Sequence, residues 1–171
     1  MSKALIVYYS RKGENYWNGS IKNLEKGNTE IVAEMIAEQT GGDLFEVETV
    51  KEYPADYYAC IEEAKAELRE KARPELKGYV DNLAQYDTVF LGYPNWWGTM
   101  PMAICTFLEH YDWSGKRVIP FCTNEGSGMG RSEGDLKKLC HGAQLEKGLS
   151  IHGAEVANAH DRVAAWLVAL G

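Results

Sequence analysis

The sequence predicts an α/β protein built on a doubly wound parallel sheet of five strands with helices on both faces. Three observations lead there. Short β-branched and aromatic runs alternate with longer segments of helical period. The first of these runs, residues 4–9, is apolar at consecutive positions, as a strand buried on both faces must be. The three most unusual loops each follow a strand, and in this architecture ligands bind beyond the carboxyl ends of the strands.

The first strand stops at Ser10, and residues 29–40 form the first helix, with Ile31, Val32, Met35 and Ile36 on one face. Asn28 is its expected N-cap and Gly41-Gly42 its stop. Between them, residues 11–27 form a polar stretch carrying Tyr16 and Trp17, far longer than the usual connection of about 2 to 6 residues. Residues 44–50 read as the second strand. Residues 56–72 read as a helix that turns Tyr57, Ile61, Ala64 and Leu68 to one side before Pro74. Residues 88–91 are the third strand, leading through a loop to a helix near Pro101, whose fixed φ suits a first turn. Residues 117–121 are the fourth strand, followed by a Gly- and Ser-rich loop and a charged helix over residues 131–139. Residues 149–151 give a short fifth strand. A closing helix is expected with Asn158 at its cap and Val163, Trp166, Leu167 and Leu170 as its buried stripe.

At 171 residues, 45% apolar and 25% charged, the chain is expected to form one ordinary globular domain. A net charge of −7 opposes nucleic acid as a partner, because backbone phosphates would be repelled. The apolar run at the N-terminus is far shorter than the ~20 residues that span a bilayer, so no membrane association and a cytoplasmic location are expected. Cys60, Cys105, Cys122 and Cys140 form no CxxC pair and read as buried thiols in a reducing compartment. None is followed six positions later by Arg, as a cysteine phosphatase would require; Ala66, Tyr111, Gly128 and Glu146 stand there. His110, His141, His152 and His160 lack metal-ligand spacing, so no metal and no catalytic histidine are assigned. A phospho-receiver domain would need an Asp ending the third strand, where Tyr93 stands.

Three loops carry the chemistry. The first begins with Ser10 and ends in Gly27-Asn28-Thr29-Glu30 at a helix start, where N–H groups and the helix dipole favour a phosphate. Asn28 and Thr29 equally suit a plain helix cap. There is no GxxxxGK[ST] or GxGxxG pattern, which favours a single phosphate over a pyrophosphate. The second loop sets Trp96 beside Trp97 between Pro94 and Gly98, so that one of them can offer a flat face to a planar ligand. The third, residues 123–130, has glycines that let backbone approach a ligand closely.

Ser10-Arg11 with Gly27-Asn28-Thr29 resembles the phosphate loop of flavodoxins, divided by an insertion over residues 12–26. Tyr93-Pro94-Asn95-Trp96-Trp97-Gly98-Thr99-Met100-Pro101 resembles the isoalloxazine loop of a flavodoxin-like subgroup. The resemblance covers essentially the whole chain and implies a flavodoxin-like sheet in the order 2-1-3-4-5. It also implies FMN as cofactor. Ser10, Asn28 and Thr29 would hold the phosphate, with Arg11, Lys12 or Lys26 as open choices for the remaining loop contacts. Pro94, Asn95, Trp96, Trp97, Gly98 and Thr99 would line the flavin, and Thr123, Asn124, Gly126 and Gly130 would border its other side. The implied function is electron transfer one electron at a time to redox partner proteins, with the cofactor supplying the chemistry and no catalytic side chain required. The alternative is an FMN-dependent NAD(P)H oxidoreductase acting on quinones or nitro and azo compounds.

Overall fold

The computed structural model describes residues 3–171; Met1 and Ser2, expected just ahead of the first strand, lie outside them. In chain order the elements are β1 (Lys3–Tyr8), β2 (Gly13–Trp17), β3 (Ser20–Leu24), α1 (Asn28–Thr40), β4 (Asp43–Glu46) and α2 (Tyr57–Glu70). Then follow β5 (Tyr86–Pro94), α3 (Met102–Glu109), β6 (Arg117–Asn124), α4 (Ser132–Leu139), β7 (Gln144–Leu145), β8 (Leu149–His152) and α5 (His160–Leu170). The main sheet is parallel throughout, in the order β4-β1-β5-β6, with β7 and β8 both on the far side of β6. With β7 and β8 as two pieces of one strand, this is the expected order 2-1-3-4-5.

Alternation along the central strands divides the core into two layers. Ile6, Tyr8, Phe90, Ile119 and Phe121 face α1 and α5, where Val32, Ile36, Val163 and Trp166 complete the layer. Leu5, Val7, Val89 and Leu91 face the other way and pack with α3, α4 and Leu68 of α2. Each such side chain, fully buried, contributes about 1.5–3 kcal/mol. Among the described residues, α3 is the only helix apolar nearly all round, and six of its eight residues are buried.

Several boundaries differ from the expected ones for identifiable reasons. The second strand ends at Glu46 because β1 has no partner to offer beyond Tyr8. Val47 N–H still donates to Tyr8 C=O, but Val50 N–H turns to Glu75 C=O instead. The fifth strand is broken opposite Pro120. Gln144 N–H donates to Lys116 C=O and Glu146 N–H to Val118 C=O, and the next residue of β6 in that alternation is a proline with no N–H to give. Trp166 Nε1–H reaches the break and donates to Lys147 C=O at 3.1 Å. Asn28 is the first residue of α1 rather than its cap, and Gly27 is the N-cap. Pro101 and Ala159, not Asn158, stand at the N-caps of α3 and α5. The expected long first loop is a β-hairpin: β2 and β3 pair antiparallel about Asn18-Gly19, both with positive φ, the two-residue turn that Asn-Gly favours. Among the described residues, no helix is long and apolar enough to cross a membrane.

Candidate functional site

The ends of β1, β5 and β6 meet α2 and the hairpin around a cleft of about 310 Å³. Its floor is a pair of buried hydroxyls: Thr29 Oγ1 and Thr123 Oγ1 lie 2.7 Å apart, 2% and 4% exposed. One hydroxyl must donate to the other, so one proton of the pair is left for a ligand. Thr29 is the second residue of α1, where the first-turn N–H groups have no intrahelical acceptor. Ser10 does not line the cleft. It ends the first strand's approach and its Oγ accepts from Glu30 N–H at 3.0 Å, doing the work of a cap from outside the helix. Asn28 lines the cleft beside Thr29.

Arg11 also lines the cleft, but its guanidinium is committed elsewhere. Nε donates to Glu14 C=O at 2.9 Å, and Nη2 to Pro54 and Ala55 C=O at 3.1 Å each. Lys26 is turned to Glu34 on α1 at 2.6 Å. An anionic group on the floor would therefore meet N–H and O–H dipoles before it met a cation.

The second lip of the cleft is the connection from β5 to α3. Trp96 N–H donates to Thr99 C=O at 2.8 Å and Thr99 N–H returns to Trp96 C=O at 3.3 Å, enclosing Trp97 and Gly98 at φ +56° and +90°. Trp96 is half-buried and meets the rings of Tyr9 and Tyr53 edge-on, both at 5.2 Å. Trp97 remains 42% exposed and lies toward α2, its Nε1–H donating to Ile61 C=O at 2.8 Å and Lys65 above its ring at 5.1 Å. Both tryptophans line the cleft, so the structure separates their roles: Trp96 packs and Trp97 covers. Pro94 and Asn95 line it as well, and Asn95 ties the lips together, accepting from Gly98 N–H and donating to Gly128 C=O, both at 2.8 Å. Gly98 and Thr99 lie behind the wall, where Thr99 Oγ1 donates to Asp135 at 2.6 Å.

In the connection from β6 to α4, Thr123 and Asn124 line the cleft while Gly126 and Gly130 support it. Gly126 N–H donates to Asn124 Oδ1 at 2.9 Å. Gly130 has φ +57°, and a Cβ there would overlap Gly98 C=O, so only glycine lets these two loops touch.

Sequence reasoning missed part of the wall. Tyr57, Cys60, Ile61 and Ala64 of α2 line the cleft at i, i+3, i+4, i+7 spacing, and Asn15 lines it too; Tyr16 of the long first loop and Glu125 and Ser127 of the third loop, segments that the sequence did single out, complete it. Tyr16 and Tyr57 lie 5.9 Å apart. Burial pushes the Cys60 thiol and the Tyr57 phenol up, so both stay neutral. The one carboxylate on the wall, Glu125, accepts from Asn18 N–H at 2.7 Å and lies 3.4 Å from His152 Nε2. Behind Trp96, Tyr53 O–H donates to Glu67 at 2.5 Å, and burial pushes that carboxyl up. Flat apolar walls, a hydroxyl-lined floor and a helix N-terminus suit a planar ligand with an anionic tail.

A model of the flavodoxin family matches residues 23–170. Among solved structures, a candidate flavoprotein from Bacteroides uniformis ATCC 8492 is 30% identical, with 97% of each chain covered and a TM-score of 0.79. Another from Bacteroides eggerthii DSM 20697 is 29% identical over 96% of this chain and 99% of its own, at a TM-score of 0.73. A flavoprotein from Lactobacillus acidophilus NCFM, solved in complex with FMN, shares the fold at 21% identity and a TM-score of 0.65, covering 96% of this chain and 99% of its own. No curated protein matches the chain.

Proposed function

The chain belongs to the flavodoxin family, and from that premise we propose that it binds FMN in this cleft and carries electrons singly between redox partner proteins. The observation that carries the reading is the make-up of the cleft: aromatic walls from Trp97, Tyr57 and Tyr16 over a floor of paired hydroxyls at the N-terminus of α1. The Lactobacillus acidophilus relative, solved with FMN, supports the same cofactor here.

The residues fit such a group. The spare proton of the Thr29–Thr123 pair and the N–H groups of Asn28 and Thr29 at the start of α1 would meet the phosphate. Trp97 and Tyr57 would flank the ring system, and the Asn124–Gly126 turn would border its edge. When bound, FMN supplies the electron-carrying chemistry itself. The chain's part is to orient it, keep water from its faces and set its potential. Glu125 on the wall and the net charge of −7 both disfavour added negative charge, which lowers the potential.

The test is reconstitution of the purified chain with flavin, identification of what stays bound by mass, and comparison of two electron sources. FMN retention and rapid reduction by a flavoprotein reductase, with little oxidation of NAD(P)H alone, is the expected result. Steady NAD(P)H-driven quinone turnover without a protein partner would assign the chain to the oxidoreductase class instead. Retention of FAD, or of no flavin, would end the reading.

A further inference from the structure

The hairpin is anchored very unequally at its two ends. At its root, Arg11 gives three hydrogen bonds to carbonyls, and Asn15 Nδ2 donates to Arg11 C=O at 2.8 Å. Glu14 also accepts from Tyr57 N–H at 2.7 Å, placing a carboxylate on the N-terminus of α2. At its tip, among the described residues, a single hydrogen bond reaches the body of the protein: Asn18 N–H to Glu125 Oε1 at 2.7 Å. Little burial assists that contact. Four of the five residues of β3 are exposed, and the Asn18-Gly19 turn is exposed as well. A two-stranded ribbon is marginal by itself, so the tip's position follows the tip's one bond. Between root and tip, Tyr16 projects from β2 onto Tyr57 at the mouth of the cleft, 39% exposed.

We propose that the β2–β3 hairpin controls access to the flavin cleft, with Asn18–Glu125 as the latch and Tyr16 as the residue that closes the mouth to a second planar substrate. The inference rests on the FMN reading given above and deepens it. Hydride transfer from a nicotinamide needs the reacting atoms about 3–3.5 Å apart, hence entry of a second planar molecule into the cleft that Tyr16 lines. Electron transfer to a protein partner needs no such displacement. A closed hairpin therefore selects the carrier over the reductase on a fold that accommodates both. The hairpin also retains the cofactor, since FMN must pass the latch to leave.

Three variants test this: Glu125→Ala removes the acceptor, Glu125→Gln keeps an acceptor oxygen without the charge, and Tyr16→Ala opens the mouth with the latch intact. FMN release is followed by recovery of flavin fluorescence, and access by iodide quenching of the bound flavin. NADPH-driven quinone reduction is measured beside them. Glu125→Ala should speed release by roughly ten- to a hundredfold, the range that loss of a hydrogen bond to a charged acceptor spans. Glu125→Gln should recover most of the wild-type rate. Tyr16→Ala should raise both quenching and quinone turnover. Unchanged release in folded Glu125→Ala together with unchanged access in Tyr16→Ala would overturn the inference and leave the carrier reading standing. Release as fast in Glu125→Gln as in Glu125→Ala would overturn the latch. A wild-type chain that takes up no FMN would overturn both proposals.

Discussion

Two turns with the same signs of φ border the site, Asn18-Gly19 on the hairpin and Trp97-Gly98 between β5 and α3. In both, the two central residues have positive φ. Asparagine and glycine adopt that conformation at little cost, whereas a tryptophan at φ +56° is strained. Among the described residues, the relaxed turn is tied to the body of the protein by one hydrogen bond. The strained one is bound on every side: Asn95 receives Gly98 N–H, Arg131 N–H donates to Gly98 C=O at 2.7 Å, and the Trp97 indole is bonded to α2. Strain of about 1–3 kcal/mol persists only where the surroundings overdetermine the backbone. The strained turn is thus a fixed wall and the relaxed one a movable strap. The cleft has one lip of each kind.

The largest expected effect breaks the fixed lip. Gly130→Ala places a Cβ onto Gly98 C=O at a residue with φ +57°, combining backbone strain with an overlap that no flexible side chain can relieve. It should cost about 2–4 kcal/mol in urea unfolding. Gly19→Ala on the strap has open space around it and should cost only about 1–2 kcal/mol, from its positive φ. Equal losses at the two sites would erase the distinction between wall and strap.

Next in size is the floor beneath both lips. Thr29→Val should weaken FMN by roughly 1.5–3 kcal/mol and riboflavin much less, if the spare proton of the hydroxyl pair meets the phosphate. Because Thr29 and Thr123 share one hydrogen bond, the double variant with Thr123→Val should lose clearly less than the sum of the singles. Additive losses would mean that the two hydroxyls act separately. Smaller again is the contrast between the tryptophans. Trp97→Ala should lower FMN affinity by about tenfold and raise the flavin's reduction potential, through the lost stacking surface, while barely moving the flavin-free protein. Trp96→Ala should do the reverse, destabilising the fold through the Tyr9 and Tyr53 cluster and affecting the potential less. Were both potentials unmoved, neither indole would touch the ring.

How much of this was legible in the sequence divides along the same line. The five strands and the three loops follow from apolar runs and punctuating Gly and Pro, which are strong signals, whereas the order 2-1-3-4-5 was implied by the family resemblance. The Trp96-Trp97 loop stands out because two large aromatics rarely adjoin in a loop without purpose. The hairpin was hidden, although Asn18-Gly19 is its turn signal, because β2 and β3 bury neither face well and so show no apolar alternation. The α2 wall was hidden differently: Tyr57, Ile61 and Ala64 were visible as one helical face, but the same spacing serves a core and a cleft. Arg11 was visible as a candidate phosphate ligand, yet its guanidinium is taken by Glu14, Pro54 and Ala55 carbonyls that only the folded hairpin brings to it.

The smallest effect separates charge from packing behind the fixed lip, at Glu67. Burial raises this carboxyl above the ordinary range, opposed by the hydrogen bond from Tyr53 and by Lys51 and assisted by Glu63. A carboxyl whose pKa is higher in the folded protein than in the unfolded chain gives stability that is fully present below the unfolded value and is lost as pH rises through the folded one. At neutral pH the charged form of Glu67 is therefore a small burden on the fold. Glu67→Gln removes that charge and keeps an oxygen for Tyr53 O–H. It should melt higher than wild type at pH 7 to 8, by no more than about 2 °C for a half-exposed site in a chain of this size. The difference should shrink toward zero as pH falls below the ordinary carboxylate range, where wild-type Glu67 is neutral in both states. A variant that melts lower at neutral pH would show that the Tyr53 hydrogen bond to the charged oxygen outweighs the burial. The support behind Trp96 would then rest on the charged oxygen of Glu67, unlike the hairpin's latch, which an uncharged acceptor is expected to maintain.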